Sequence, residues 1–578
     1  MKRKILIFTA VVTLLTGCLN EKNESYTTTD NYFQDVNQIM TGINGCYNSL
    51  RNIYSARGFW EMTDVAADLM YTSSSSLYNS NCDVSPARPG IASTVWRYGY
   101  TGVKDANEMT AAIAAAVENG YITEADAAPL YAETAVLRAL YYYILTSTFG
   151  DVPFYAERVT EENRERIATL PRMDAGATRD YCIAELDKWL VREEALPMVR
   201  TYEGNGFRAG AAVGFVVAAK MCMWNERWEE AIAFLSKVED IYGHYADSPA
   251  SFGTDYPLTD VPFAKRYVKE SIFEMANVVE SYGTQTSAMI AACCLPSRVA
   301  NSVIENALNP DGEADDEYTE EDGEQLEDNS GSDCYAGIRI PELGGTSRTS
   351  ATARPTTYLY SRLLPYASAD LRSGEYSNGA TSPRGGSGTL AWRWVGYDPI
   401  EDPENTDRKI MFFWSSNSSK TKIKATDRPW MGNKFWAYDM YNTKDPNNYK
   451  IFRFADVLLM KAEAHLQNNE FDLASKYLNV TRVRAGLNQI TYASLGSEPE
   501  ALMEEIRMER ARELVGEFHR KYDLVRWGIW YERIMAYSDF EKLKQTVKPC
   551  HEFLPIPDKQ VIYSGYSLDN DAYKEYGL

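Results

Sequence analysis

Apolar positions along most of this chain recur at helical spacing rather than in strand alternation. Over 131–149, Ala135, Ala139 and the run Tyr142 to Leu145 share one side of a 3.6-residue turn. The same periodicity predicts helices over 37–53, 95–116, 178–190, 501–515 and 519–535. Two distant segments repeat one arrangement. Ala219 is followed by the turn Asn225-Glu226-Arg227-Trp228, then Ala231 and Leu235; Ala462 is followed by Asn468-Asn469-Glu470-Phe471, then Ala474 and Leu478. In each case twelve positions separate the alanines and four more reach the leucine. Small residues there let two antiparallel helices approach closely, and the spacing is that of tetratricopeptide hairpins. One such hairpin cannot bury its apolar face alone, so neighbours must stack on it, the helix over 131–149 among them.

Between about 281 and 426 this periodicity fades, Gly, Ser, Pro and Thr become frequent, and 311–328 is densely acidic. The expected architecture is therefore mostly α, a single large scaffold of tetratricopeptide-type hairpins carrying a long irregular loop-rich insertion over 281–426. One amphipathic helix is predicted inside it, over 356–364. The acidic run lacks the central glycine and closing glutamate of an EF-hand loop, so it is taken as a solvated loop.

The first residues change the picture. Lys2, Arg3 and Lys4 precede an apolar stretch over 5–15, about half the roughly 20 residues of a membrane span, which marks an export signal. It ends in Leu15-Thr16-Gly17-Cys18, which looks like a bacterial lipobox. The expected division is a signal peptide over 1–17, a lipidated tether over 18–30 anchored through Cys18, and one domain over 31–578. A formal net charge of −22 excludes nucleic acid as a partner, because phosphates need a basic footprint. Tyrosines number 40 against 20 phenylalanines, which suits wet surfaces as well as half-exposed helix packing. The four histidines are scattered and the nine cysteines show no zinc-like spacing, so no metal site and no cofactor are expected.

A series of motifs then becomes specific. Phe452-Arg453-Phe454-Ala455-Asp456-Val457-Leu458-Leu459-Met460-Lys461-Ala462-Glu463-Ala464 is followed by Arg482-Val483-Arg484-Ala485-Gly486-Leu487, Ile506-Arg507-Met508-Glu509-Arg510, and His519 to Gly528. Upstream stand Leu137-Arg138-Ala139 and Phe149-Gly150-Asp151-Val152-Pro153, with Asp370 and Arg372 as a D-x-R pair. In this order they resemble the SusD/RagB family over nearly the whole mature chain, with 427–578 as its signature region. Phe518, where the family has glycine, and the tail depart from the pattern. The resemblance implies an outer-membrane, lipid-anchored protein, facing outward, that binds oligosaccharides and serves a SusC-like, TonB-dependent transporter without cleaving its ligand. The motif residues Arg453, Glu463, Arg482, Arg526 and Trp527 are assigned to the scaffold.

Catalytic patterns are weak. Gly204-Asn205-Gly206-Phe207-Arg208-Ala209 fits a relaxed dinucleotide fingerprint, but no strand precedes it and no βαβ alternation surrounds it. Carboxylates are abundant enough for a glycoside hydrolase, yet the strands that usually present them are missing from the pattern. A peptide-binding adaptor is the other alternative, since tetratricopeptide surfaces hold peptides. Sugar sites pair an aromatic face with hydrogen-bonding side chains. Family members build part of their ligand arc after the first long helix, where this chain carries Arg57, Asp68, Tyr71, Tyr78 and Asn79. Arg372, Trp394 and Tyr397 of the insertion complete the expected ligand-binding set, with Trp392 beside them. If Cys18 carries the anchor, Cys18→Ala protein should leave the detergent phase of a membrane extract, and mass spectrometry of native protein should find a lipid adduct at that residue.

Overall fold

The computed structural model describes residues 32–72, 77–199, 208–277, 289–294, 352–365, 368–374, 387–391, 430–435 and 447–578, with short strand pieces at 339–340, 345–346, 399–402 and 405–411. Nine helices carry the architecture: α1 (Val36–Tyr54), α2 (Ala92–Glu118), α3 (Glu124–Phe149), α4 (Ala175–Leu186), α5 (Ala211–Trp224), α6 (Trp228–Tyr242), α7 (Phe454–Gln467), α8 (Phe471–Arg484) and α9 (Pro499–Glu513). Each packs on the next in sequence, so the molecule is a one-dimensional stack of the predicted kind. The step from α6 to α7 is made directly, although the whole loop-rich segment lies between them in the chain.

The repeat extends to the backbone of its turns. After α5, Glu226 is left-handed (φ 57°), Arg227 donates its amide to the Cys222 carbonyl at 2.8 Å, and Glu226 donates to Met223. After α7, Asn469 is left-handed (φ 61°), Glu470 donates to His465 at 2.8 Å, and Asn469 donates to Leu466. Both are Schellman caps. Ala219, Ala231, Ala462 and Ala474 are fully buried, as close helix approach requires.

Three predicted helices differ in detail. Helix α3 starts at Glu124 instead of 131, because Thr123 and Asp126 form a capping box there. The helix expected over 519–535 is two, α10 (Arg520–Arg526) and α11 (Trp530–Tyr537), separated at Gly528, whose φ of +68° no helix interior adopts. The helix expected over 356–364 is one π-helical turn, Tyr358–Leu363. Among the described helices none is long and apolar enough to cross a membrane.

Close approach between helices is severe where α2 meets α3. A methyl group at Gly102 would lie 2.1 Å from the Tyr141 ring, and one at Gly99 2.7 Å from Leu145. Through that gap the Tyr141 hydroxyl reaches α1, accepting from the Leu50 amide at 3.0 Å and donating to the Cys46 carbonyl. Those are the two groups that an uninterrupted α1 would join to each other. Short antiparallel pairs tie the loops to this stack: β1 (Met70–Thr72) with β3 (Ala353–Pro355), and β2 (Ser271–Met275) with β4 (Tyr449–Arg453), which runs straight into α7.

Buried charge concentrates where the loops, β4 and α9 meet. Glu513 accepts from Arg372 at 3.0 Å, Arg453 at 2.8 Å and Arg484 at 2.6 Å, while Glu270, Glu509, Glu517 and Asp370 take the remaining guanidinium edges. Arg453, one of the arginines assigned to the scaffold from the sequence, is thus at its centre. A second group joins Asp456 to Lys220 and Arg510, and Glu463 to Arg526 and the Trp527 indole N–H.

Acid should loosen this core in two stages. Burial, with Lys220 adding to it, lowers His519 to about 4 against the pull of Asp456, Asp523 and Glu517. Arg372 and Arg512 outweigh burial at Glu509 and lower it to about 2. In both cases the unfolded chain binds the proton first, so stability falls from pH 6.5 towards 4 through His519 and from 4.5 towards 2 through Glu509. Asp64, raised to about 7 by burial, acts in the opposite sense between pH 7 and 3.8. The decisive comparison is between variants: His519→Gln should flatten the denaturation midpoint between pH 6.5 and 4, removing a slope of at most about 1.4 kcal/mol per pH unit.

Candidate ligand-binding site

The segment after α1 begins with the helical turn Arg57–Trp60 and continues as the π-helical turn Glu61–Val65. Trp60 is buried and donates its indole N–H to the Gly516 carbonyl at 3.2 Å. Asp64 accepts the amides of Gly516 and Phe518 at 3.1 and 3.0 Å. These contacts clamp the segment to the chain just after α9. They leave Arg57 at the margin, with a quarter of its side chain exposed.

Arg57 donates through Nε to Glu61 Oε1 at 2.6 Å and through Nη2 to Thr352 Oγ1 at 3.2 Å. Asn79 also hydrogen-bonds Glu61, so two of the expected residues converge on one carboxylate. Burial holds Glu61 above its ordinary range, although Arg57 and Asn79 pull it down. The Asn79 Oδ1 accepts from the Ile91 amide at 2.9 Å, tying the loop to the entry of α2. Gly90 makes room for this at φ +56°, where a methyl group would lie 2.4 Å from that oxygen. Tyr78 stands beside it, 45% exposed, with the Arg88 guanidinium 4.9 Å from its ring centre and Arg88 paired to Asp83. The arrangement offers an open aromatic ring, guanidinium and amide donors, and carboxylate acceptors, a set suited to hydroxyl-bearing ligands. Among the described residues no cluster of three or more His, Cys, Asp or Glu is placed to hold a metal ion.

Three of the expected ligand residues belong to the framework instead. Asp68 is fully buried and accepts from Nε and Nη2 of Arg520 at 2.7 Å each. Arg372 is 1% exposed, with both ends of its guanidinium held by Asp370, Glu509 and Glu513. Tyr71 is buried in β1, opposite Arg354 of β3. A ligand cannot reach them without breaking those contacts. Cys18, Trp392, Trp394 and Tyr397 lie outside the described residues, as do 73–76 and the acidic run 311–328. Glu61 and Thr352 were not anticipated. Glu61 carried a signal, four positions after Arg57 on one helical face, whereas nothing local links Thr352 to it.

Comparison with known proteins adds the lineage. The family profile described as "SusD family" matches residues 269–573, and one described as "Starch-binding associating with outer membrane" matches residues 18–203. The chain is 24% identical to SusD-like protein P25 of Formosa agariphila, covering 99% of this chain and 98% of that protein. Among solved structures, a SusD homolog from Bacteroides thetaiotaomicron superposes with a TM-score of 0.66 at 17% identity, covering 94% of this chain and 98% of that one. Surface glycan-binding protein A from Bacteroides uniformis superposes with a TM-score of 0.59 at 19% identity, covering 93% and 99%.

Burial sets the expected result of mutagenesis. Asp68→Asn and Arg372→Met should each destabilise the fold by about 3–5 kcal/mol, the typical cost of orphaning one member of a buried ion pair. Tyr78→Ala should stay within about 0.5 kcal/mol, as exposed positions usually do. Equilibrium denaturation of the three variants checks both statements.

Proposed function

The chain belongs to the SusD family, and from that premise we propose that it captures oligosaccharides at the outer surface of the outer membrane. In this reading it is anchored there through a lipid on Cys18 and passes its ligand, uncleaved, to a SusC-like, TonB-dependent transporter. Support for the ligand class comes from the printed name of a structural neighbour, a surface glycan-binding protein, and from the family description that couples starch binding to the outer membrane. The observation in this chain that carries the reading is Tyr78, an exposed ring next in sequence to Asn79, which shares the Glu61 carboxylate with Arg57 on a loop whose base is firmly held.

The division of labour follows from the physics. A stack of helices bound together by buried ion pairs gives a rigid support, and loops on such supports can present side chains in fixed positions. Tyr78 supplies an aromatic face for the C–H face of a sugar ring. Arg57 and Asn79 supply donors for its hydroxyls, with Glu61 holding both in place. Trp394 and Tyr397, in the insertion, are proposed as further contacts. Affinity need only be modest, because an anchored carrier is already concentrated beside its transporter.

Calorimetry against a glycan selected from an array should give a Kd between micromolar and millimolar, roughly −8 to −4 kcal/mol. Tyr78→Ala should cost about 1.4 kcal/mol or more, a tenfold loss, and Arg57→Ala and Asn79→Ala smaller losses. Unchanged affinity in all three would move the site elsewhere, and the appearance of shortened glycan would overturn binding without cleavage.

A further inference from the structure

On the helical stack, away from the loop just described, a cleft of about 260 Å³ opens between the two repeat turns. Trp224 ends α5, Trp228 begins α6, Gln467 ends α7, Arg507 stands on α9, and Trp527 follows α10; all line it, with Glu226 from the first turn. None of these lining residues belongs to the Arg57–Tyr78 loop. We propose that this cleft is a second binding site, for a neutral, hydroxyl-rich ring such as a single sugar unit.

Charge balance disfavours the other ligand classes one at a time. A cation would seek the tryptophan faces, but Trp527 already has the guanidiniums of Arg507, Arg520 and Arg526 at 5.7, 5.9 and 5.5 Å from its ring centre. An anion would seek the arginines, but Arg526 is closed by Glu463 and Arg507 is held by Glu500 at 2.5 Å. A purely apolar ligand would leave polar groups unmet, because the Nε of Arg507 is buried with no hydrogen-bond partner, and Gln467 and Glu226 expose an amide and a carboxylate. Trp224 likewise has the Arg179 guanidinium 4.5 Å from its ring centre, so what remains is a ligand with a C–H face for the Trp228 indole and groups that both donate and accept. Hydroxyls do both.

Size agrees. The cleft falls just below the roughly 300–1,000 Å³ of pockets for drug-sized ligands. Inward it meets a void of about 10 Å³ lined by Lys220 and Asp523, close to the space of a single water, so a ring must sit in the outer part. The indole N–H of Trp527 is already given to Glu463 at 2.9 Å, so Trp527 forms the wall of the cleft and supplies no hydrogen bond to a ligand.

This site stands or falls independently of the loop site, and 5-fluorotryptophan labelling of the full chain separates them. The protein has 12 tryptophans, and the resonances of Trp224, Trp228 and Trp527 are assigned by single substitution to phenylalanine. Titration with glucose, galactose, maltose and cellobiose should shift these three saturably for at least one sugar and leave most other indoles in place. Gln467→Ala, at an exposed position, should weaken that binding several-fold with the spectrum otherwise intact, and Trp228→Ala should abolish it. Tyr78→Ala should leave it unchanged. The proposal is overturned if no sugar gives a saturable shift. It is also overturned if only phosphate, tetramethylammonium or a short peptide does so, or if Gln467→Ala and Trp228→Ala bind as tightly as the parent.

Discussion

The described part of the insertion around Arg372 and the strand that leads into α7 are both held to the helices through one carboxylate. Glu513, at the end of α9, lies where Arg372 from the insertion, Arg453 from the β4–α7 junction and Arg484 from the end of α8 converge. Three guanidiniums on one carboxylate would be untenable alone. The positive charge is shared out to Asp370, Glu270, Glu509 and Glu517, and Lys434 and Arg512 complete a set of five acids and five bases. Such a set contributes little net stability, since desolvating ten charges offsets most of their attraction. It defines position. A loop that misses its register leaves a buried charge without a partner, which is far worse than a lost apolar contact.

This constraint explains which parts of the structure were legible in the sequence. The hairpins were, because alanine spacing and apolar period are local and survive in one dimension; the left-handed residue after Asn225 and Asn468 was seen only in the structure. The scaffold role of Arg453, Glu463 and Arg526 followed from motif resemblance. The binding loop was legible only in part. Asp68 and Tyr78 belong to the same polar, aromatic stretch, yet one is sealed against Arg520, 452 positions away, and the other is open. Composition reports the side-chain types that a site needs and says nothing of which are already occupied by distant partners. Arg372 was misplaced for the same reason.

The two sites argued for here rest on opposite kinds of support. The Arg57–Tyr78 loop takes its rigidity from a hydrogen-bonded carboxylate, Glu61, and from Asn79 pressed between Gly58 and Gly90. The tryptophan cleft needs no loop at all. It is a by-product of stacking, formed because a hairpin turn on one repeat overhangs the end of a helix on the next. Repeat scaffolds produce such clefts wherever consecutive turns carry large side chains.

The direct packing of α6 on α7 also has a consequence for how the chain folds. Joining them closes a loop of roughly two hundred residues, yet each doubling of a loop costs only about 0.6 kcal/mol, so the finished stack hardly registers the insertion. The route to it does, because contacts so distant in sequence form late. Helices α1 to α6 lie wholly before the insertion in the chain and α7 to α9 wholly after it. Each half presents an apolar face at the α6–α7 seam until the two meet, so that seam is where a partly folded chain would be most exposed to aggregation.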